Sequence, residues 1–565
     1  MIKKRINKLR VLFKDYGIDG YIIPKNDQFF SEYTNKDRLK FISNFTGSTG
    51  YAVILKNKNY LFVDGRYTIQ AKIESGKNFK IVDYFKIVNT NVFKNLNIGI
   101  DPTLFTSNQI KKFLLKNNQV TVINENLVDN IYKIKNRKKT PFYSINKKIT
   151  GESHLRKLSK VSNYLKKNNC DYLLITAPEN IAWLLNIRGY DNPTSPIPNC
   201  NLVLSKEKKF YLIVEKDKST KLISEKKLKK NQIIDPKNFY DFLKKLKNRN
   251  IAIDEKTCSV YFERLLRKKF NITKKEDPIY LLKSIKNNIE IKNMISTHIL
   301  DGVALTKFLY WIKNKKKLDI TEVDAQNKLE KFRKINSKYL FPSFNTIAGT
   351  GKNGAIVHYR ATKNNTKFLK KDEIFLCDSG GQYKFGTTDV TRTICFSDQN
   401  KNIKKIFTNV LKGHIAVAET DLNKKTTGKL IDIEARRFLK KDGLDYNHGT
   451  GHGVGFFLNV HEGPQAISKL NSIKIQKGMI LSNEPGYYKK NKFGIRIENL
   501  VYVNKIGQKL FFKNLTLAPI EKDLIDFELL TKKEKKYLFN YHLEVYIKIS
   551  PFLNRVERKW LASFI

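Results

Sequence analysis

The sequence predicts an α+β protein of several domains, and three observations carry that expectation. Its 565 residues exceed what one hydrophobic core usually organises. A helix, strand and hairpin pattern occurs twice in the first half. A strand, acid, turn and strand pattern occurs twice in the second half.

Composition supports a folded chain and narrows its class. A hydrophobic fraction of 41%, with 36 Phe and 27 Tyr, supplies core material and excludes a disordered polymer. No apolar stretch approaches the roughly 18 to 20 residues that span a bilayer, so no membrane partner is expected. The start MIKKRINKLRVLF lacks an apolar core and a small-residue cleavage site, and reads as an amphipathic helix. Cys170, Cys200, Cys258, Cys377 and Cys395 are scattered and free of CxxC spacing, which suits a reducing, cytoplasmic location. The net charge of +54 would suit a polyanion partner. Lysine runs through every segment, however, without a basic tail or an RNA-binding signature, so no specific nucleic acid is expected.

The first duplication pairs five elements in order. KLRVLFKDYGIDGYIIP corresponds to KLSKVSNYLKKNNCDYLLIT, an amphipathic helix running into an apolar strand that ends at Pro24 in one copy and Thr176 in the other. ISNFTG then matches LLNIRG, and YAVILKNKNYLFV matches NLVLSKEKKFYLIV, each a hairpin of two β-rich runs around a polar turn. NIGID and NIAID close the copies. Two tandem α/β domains follow, over 1–147 and 148–278, with the role of shaping or covering a site elsewhere. The lone His154 reads as a solvated residue.

A helical pattern from Ile285 to Lys315 opens a third domain over 279–510. It contains His298, read as structural, and a second helix follows Thr321, which caps with Asp324. In EIFLCDSGGQYKFGTTDVTRTICF an apolar run delivers Asp378 to a strand end, and the next strand carries Asp389. GMILSNEPGYYKKNKFGIRIENLVYV repeats the plan with Glu484 and, inside its second strand, Glu498. Phe385-Gly386 and Phe493-Gly494 fall at matching points. Alternation puts Arg496 and Glu498 on one strand face and Ile495 and Ile497 on the other. Four converging carboxylates would cost about 4 kcal/mol per pair at 4 Å, even at an effective dielectric near 20. Cations must offset that repulsion, or the acids do not converge.

Between the two units, HGTGHGVGFFLNVHEGP holds His448, His452 and His461. The first two have i, i+4 spacing, but their glycine-rich context cannot hold a helix, and no Glu-x-x-His follows. One histidine with two Asp and two Glu makes a hard, mostly oxygen donor set suited to manganese, cobalt or zinc pairs. GTGKNG at 349–354 satisfies GxGxxG, yet the β-like AIVHYR follows where a dinucleotide site needs a helix N-terminus. In the tail at 511–565, Thr531 and Glu534 form a capping box ahead of a helix with Leu538, Tyr541 and Val545 on one face, ended by Pro551.

The ordered set Asp378, Asp389, His452, Glu484 and Glu498 resembles the ligands of pita-bread metallopeptidases. With the duplicated first half, AGTGKNGAIVHYR and the tail, the chain is similar over nearly its whole length to aminopeptidase P of the long, three-domain type. The resemblance implies a pita-bread catalytic domain behind two creatinase-N-terminal-like domains. It implies two divalent metals, manganese first and zinc or cobalt as alternatives. Asp378 would bind one metal and His452 the other, with Asp389 and Glu498 bridging, and Glu484 as both ligand and general base for a metal-activated hydroxide. His358 and His461 would hydrogen-bond the substrate and its tetrahedral intermediate, and His448, Tyr488 and Arg496 would wall the proline pocket. The substrates would be peptides with proline second, cleaved after the first residue by a homodimer to which the tail contributes. A prolidase acting on Xaa-Pro dipeptides and a catalytically inactive binding protein of the same fold are the competing readings. The length and tail disfavour the first, and the intact ligand set disfavours the second.

Overall fold

The computed structural model describes residues 1–565 except 35, 85–93, 114–117 and 133–139. It divides into two compact units, Met1–Ile279 and Tyr280–Ile565. Among the described residues no helix is long and apolar enough to cross a membrane.

In the first unit the helix Ile2–Val11 buries Ile2, Ile6 and Leu9, the i, i+4, i+7 face that the sequence offers. Strands β1 (Gly20–Pro24), β2 (Tyr51–Leu55), β3 (Asn59–Val63), β4 (Lys80–Asp83), β5 (Asn97–Ile100) and β6 (Gln119–Val122) form a sheet of order β4-β3-β2-β1-β5-β6. A second sheet contains β7 (Tyr172–Ile175), β8 (Asn201–Ser205), β9 (Phe210–Ile213), β10 (Ile233–Ile234), β11 (Asn250–Ile253) and β12 (Asn271–Lys274). Its order is β10-β9-β8-β7-β11-β12, the first sheet repeated position for position. The antiparallel hairpins and parallel outer pairs repeat as well. The central strands are buried on both faces, which explains their continuous apolar runs. His154 is half-buried, not solvated, because Lys227 Nζ lies 2.8 Å from its Nδ1. Burial and that ammonium push its pKa down to about 4, so the ring is neutral.

The second unit opens with the helix Asn288–Lys313, started by a capping box of Asn287 and Glu290. His298 lies inside it, buried, with Nδ1 donating to Met294 O at 2.7 Å. The helix Glu322–Lys334 follows the Thr321 and Asp324 box. The duplicated acid pattern then becomes geometry. β13 (Phe375–Ser379) pairs with β16 (Val390–Ile394) around an inner hairpin, β14 (Gly381–Tyr383) with β15 (Gly386–Thr387). β18 (Ile480–Asn483) pairs with β21 (Asn499–Ile506) around a second, β19 (Gly486–Lys489) with β20 (Phe493–Arg496).

Three local expectations need correction. Asp389 lies just before β16, not within it. Glu498 lies between β20 and β21, not inside a strand, because its N–H leaves the ladder and donates to Thr391 O at 3.1 Å. AIVHYR is a turn, not a strand. Buried Glu322 gathers that segment by accepting from Thr350 N, Asn353 Nδ2 and Tyr359 Oη at 2.8 to 2.9 Å. The tail helix Lys532–Ile549 buries Leu538, Tyr541 and Val545 in the same core as Ile495 and Ile497.

Candidate metal centre

Ladder ends bring the acids together. Asp378 lies in β13 opposite Thr391, Asp389 immediately precedes β16, Glu484 immediately follows β18, and Glu498 precedes β21. The two duplicated units are joined directly. Thr391 Oγ1 donates to Glu498 Oε2 at 2.8 Å, while Thr393 Oγ1 donates to Arg496 O at 3.0 Å.

His452 completes the cluster from β17 (Gly451–Gly453), a strand and not a helix. A side chain at Gly451 would meet Ser482 O at 1.9 Å, so glycine lets this strand lie against β18. His452 Nδ1 faces Gly453 O at 2.9 Å and must donate to it, because a carbonyl only accepts. Nε2 is therefore the nitrogen turned toward Asp389 Oδ2 at 3.4 Å and Glu484 Oε1 at 3.6 Å, and loss of its proton would present a lone pair there. One ligand atom each from Asp389, His452 and Glu498 lies within 4.8 Å of the others.

Asp378 is held from the other side. Arg496 Nη2 donates to its Oδ2 at 2.6 Å, and Oδ1 has no hydrogen-bond partner among the described residues. Arg496 is buried, and it also donates from Nη1 to Tyr488 Oη at 2.7 Å and from Nε to Thr391 Oγ1 at 3.1 Å. Tyr488 in turn meets His448 Nε2 at 2.9 Å, and His448 Nδ1 faces Gly449 O at 2.7 Å. The donor directions are thereby fixed. Arg496 donates to Tyr488, and Tyr488 donates to the bare Nε2 of His448.

The protonation preferences describe a site short of positive charge. Burial first, then the charges of Asp389, Glu484 and Asp378, push the Glu498 carboxyl well above the usual carboxylate range. Burial also raises Glu484 and Asp378, with Arg496 opposing it in both. Burial would lower His452, but the hydrogen bond to Asp389 and the charge of Glu484 carry it up to about 9. Four carboxylates, one correctly presented imidazole and an unpartnered Asp378 oxygen fit divalent cations, whose charge would restore the ionised acids.

The neighbouring groups divide clearly. The His461 ring lies 4.4 Å from that of His452, edge to face. Its successor Glu462 is buried with Lys283 Nζ at 3.2 Å and in contact with Lys286. His358 is half-buried on the turn that packs against β20, where a side chain at Gly494 would meet Gly354 O at 1.9 Å. A second grouping of Cys395, Glu521 and Asp523 already has its cation, because Lys313 Nζ lies 2.7 Å from Glu521 Oε2 and 3.0 Å from Asp523 Oδ2. Sequence reasoning missed Arg392, Glu322 and the two lysines. An arginine between two threonines in a strand reads as a solvated face, and only the strand's burial signals otherwise.

The chain is similar to known proteins over nearly its whole length. Residues 292–505 match metallopeptidase family M24, and 508–563 match the C-terminal region of peptidase M24. Residues 5–129 and 134–290 each match a creatinase/prolidase N-terminal domain. A Laccaria bicolor protein named probable Xaa-Pro aminopeptidase P is 38% identical, over 99% of this chain and 92% of its own length. Xaa-Pro aminopeptidase 1 of Dictyostelium discoideum is 35% identical, over 100% and 96%. The crystal structure of X-prolyl aminopeptidase from Caenorhabditis elegans, described as a cytosolic enzyme with a di-nuclear active site, superposes with a TM-score of 0.92. It is 29% identical and covers 100% of this chain and 99% of that one.

Proposed function

The chain belongs to metallopeptidase family M24, and from that premise we propose that it is a Xaa-Pro aminopeptidase with two divalent metals per chain. The observation that carries this reading is the convergence of Asp389, His452 and Glu498, with Glu484 and Asp378 beside them. Asp378 would hold one metal and His452 the other, with Asp389 and Glu498 shared and Glu484 a further ligand. Such a pair supplies Lewis acidity and a nucleophile available at neutral pH. Manganese is the metal proposed, since four of five donors are hard carboxylates.

The chain's own residues account for the proton and the charge. Glu484 takes the proton of the attacking water at its carboxylate and returns it to the proline nitrogen as the C–N bond breaks. Its Oε1 accepts from Ser482 Oγ at 3.2 Å, which orients the group. His358 and His461 hydrogen-bond the substrate carbonyl as it gains negative charge. His448, Tyr488 and Arg496 form one connected wall that receives the proline ring, with Arg496 behind its surface.

The same reading takes a cytosolic location and a homodimer. Phe539, Ile547, Phe552 and Val556, exposed on 511–565, support a role for that extension in self-association. The test is metal analysis after manganese reconstitution. Two metals per wild-type chain, with loss in an Asp389→Asn, Glu498→Gln double variant, is the expected result. A wild-type chain that takes up no metal would overturn the reading.

A further inference from the structure

Behind the candidate metal centre lies a buried arginine whose partners connect it to the C-terminal region. Arg392, in β16, is 2% exposed, and its five N–H groups reach six acceptors, with one N–H of Nη2 shared between two of them. Nη1 donates to Thr391 O at 2.9 Å and to Glu498 O at 2.7 Å. Nε donates to Pro519 O at 2.9 Å, and Nη2 donates to Ala518 O and Asn499 Oδ1, each at 2.8 Å. The sixth bond runs from Nη2 to Tyr541 Oη, at 2.9 Å, in the helix Lys532–Ile549. All six acceptors are neutral. Tyr541 Oη then donates onward to Ala518 O at 2.8 Å, which closes a triangle around the guanidinium.

The two carbonyls on Nη1 belong to the residues that join the duplicated units, since Thr391 and Glu498 bond each other through Glu498 N–H and Thr391 Oγ1. Arg392 therefore holds the main chain of one proposed shared ligand, and of the strand two residues beyond the other, Asp389. A planar guanidinium can hold carbonyls on both its edges at once, which an ammonium cannot. Its buried charge has no carboxylate among these acceptors, so each neutral acceptor counts toward keeping it in place.

Resting on the proposed metallopeptidase function, we infer that Tyr541 and Arg392 are positioning residues for the metal centre. Tyr541 fixes Arg392, Arg392 fixes the backbone at Thr391 and Glu498, and the C-terminal region thereby supports the ligand geometry from within its own chain. Residues supporting metal ligands from behind commonly change metal affinity 10- to 100-fold when removed.

The test uses full-length Tyr541→Phe, which removes one oxygen and leaves the ring in the core. Tyr537→Phe is the control. It removes a bond from the same helix, Asn514 Nδ2 to Tyr537 Oη at 3.0 Å, that is none of those made by Arg392. Equilibrium dialysis against manganese, kcat and KM on a Xaa-Pro peptide, melting temperature and sedimentation are measured for each. The expected result is about tenfold weaker manganese binding and a lower kcat at unchanged KM for Tyr541→Phe alone. The sedimentation should match wild type. Wild-type manganese affinity in Tyr541→Phe, or an equal loss in Tyr537→Phe, overturns the positioning role and leaves the metal site standing. Absence of metal from the wild-type chain overturns the metal site itself, and this inference with it.

Discussion

Asp378 Oδ2 accepts from Arg496 Nη2 at 2.6 Å, while Asp378 Oδ1 is buried without a hydrogen-bond partner among the described residues. One oxygen is paired with a buried guanidinium, and the other is the one that the proposed metal would take. The same guanidinium also carries Tyr488 and Thr391, so three groups share its geometry.

Replacing that fork is the first prediction. Arg496→Lys keeps the charge, but its three N–H groups sit on one nitrogen and cannot span acceptors that the arginine reaches from Nε, Nη1 and Nη2. We expect kcat/KM to fall by about 100-fold, equivalent to about 2.7 kcal/mol of transition-state stabilisation. Steady-state kinetics on a Xaa-Pro tripeptide checks it, and a loss under threefold would mean that Arg496 contributes charge alone.

Glu484 tests the proton path. Glu484→Gln keeps a ligand-sized side chain but cannot accept the proton, so turnover should drop at least 100-fold with an unchanged circular dichroism spectrum. Near wild-type turnover would remove Glu484 from the base role.

Tyr488 tests the pocket wall. Tyr488→Phe breaks the His448 to Arg496 connection, and the loss of about 1 kcal/mol should raise KM roughly fivefold. Burial pushes the Tyr488 phenol up to about 12, with Arg496 opposing, so Tyr488 stays neutral through pH 10. The alkaline limbs of the wild-type and variant pH profiles should therefore coincide. A limb present only in wild type would contradict that protonation state.

Acid stability tests His542. Burial, with Arg392 nearby, lowers its pKa to about 4, and the neutral ring accepts from Ile520 N and faces Phe564 O. The unfolded chain binds a proton near pH 6.5 and the folded chain only near 4. Stability from this group is complete above about pH 6.5 and is lost as the pH falls toward 4, by on the order of 3 kcal/mol. His542→Asn should flatten the melting-temperature profile between those limits. Parallel profiles for the two proteins would refute the assignment.

Legibility in the sequence followed periodicity and repetition. The tandem sheets could be read because YAVILKNKNYLFV and NLVLSKEKKFYLIV repeat a strand period and a turn. The acid pairs could be read because Phe-Gly recurs at the same point in each unit. What could not be read was contact across sequence distance. Glu322 gathering the Tyr359 turn, Lys283 reaching Glu462, and Arg392 reaching Tyr541 leave no local period. AIVHYR turns although its β-branched residues favour a strand, because the buried Glu322 carboxylate decides its course.

The proposed activity is cleavage of the bond before a proline at the second position. Chromatographic assay of the manganese-loaded chain on Arg-Pro-Pro, Arg-Ala-Pro and Arg-Pro measures it most directly. Proline fixes φ and lacks an N–H, so a pocket shaped to its ring gains contact without an amide donor to satisfy. Release of free arginine from Arg-Pro-Pro, with Arg-Ala-Pro a poor substrate, is the predicted result. Hydrolysis of the dipeptide Arg-Pro alone, or equal rates on the two tripeptides, would contradict it.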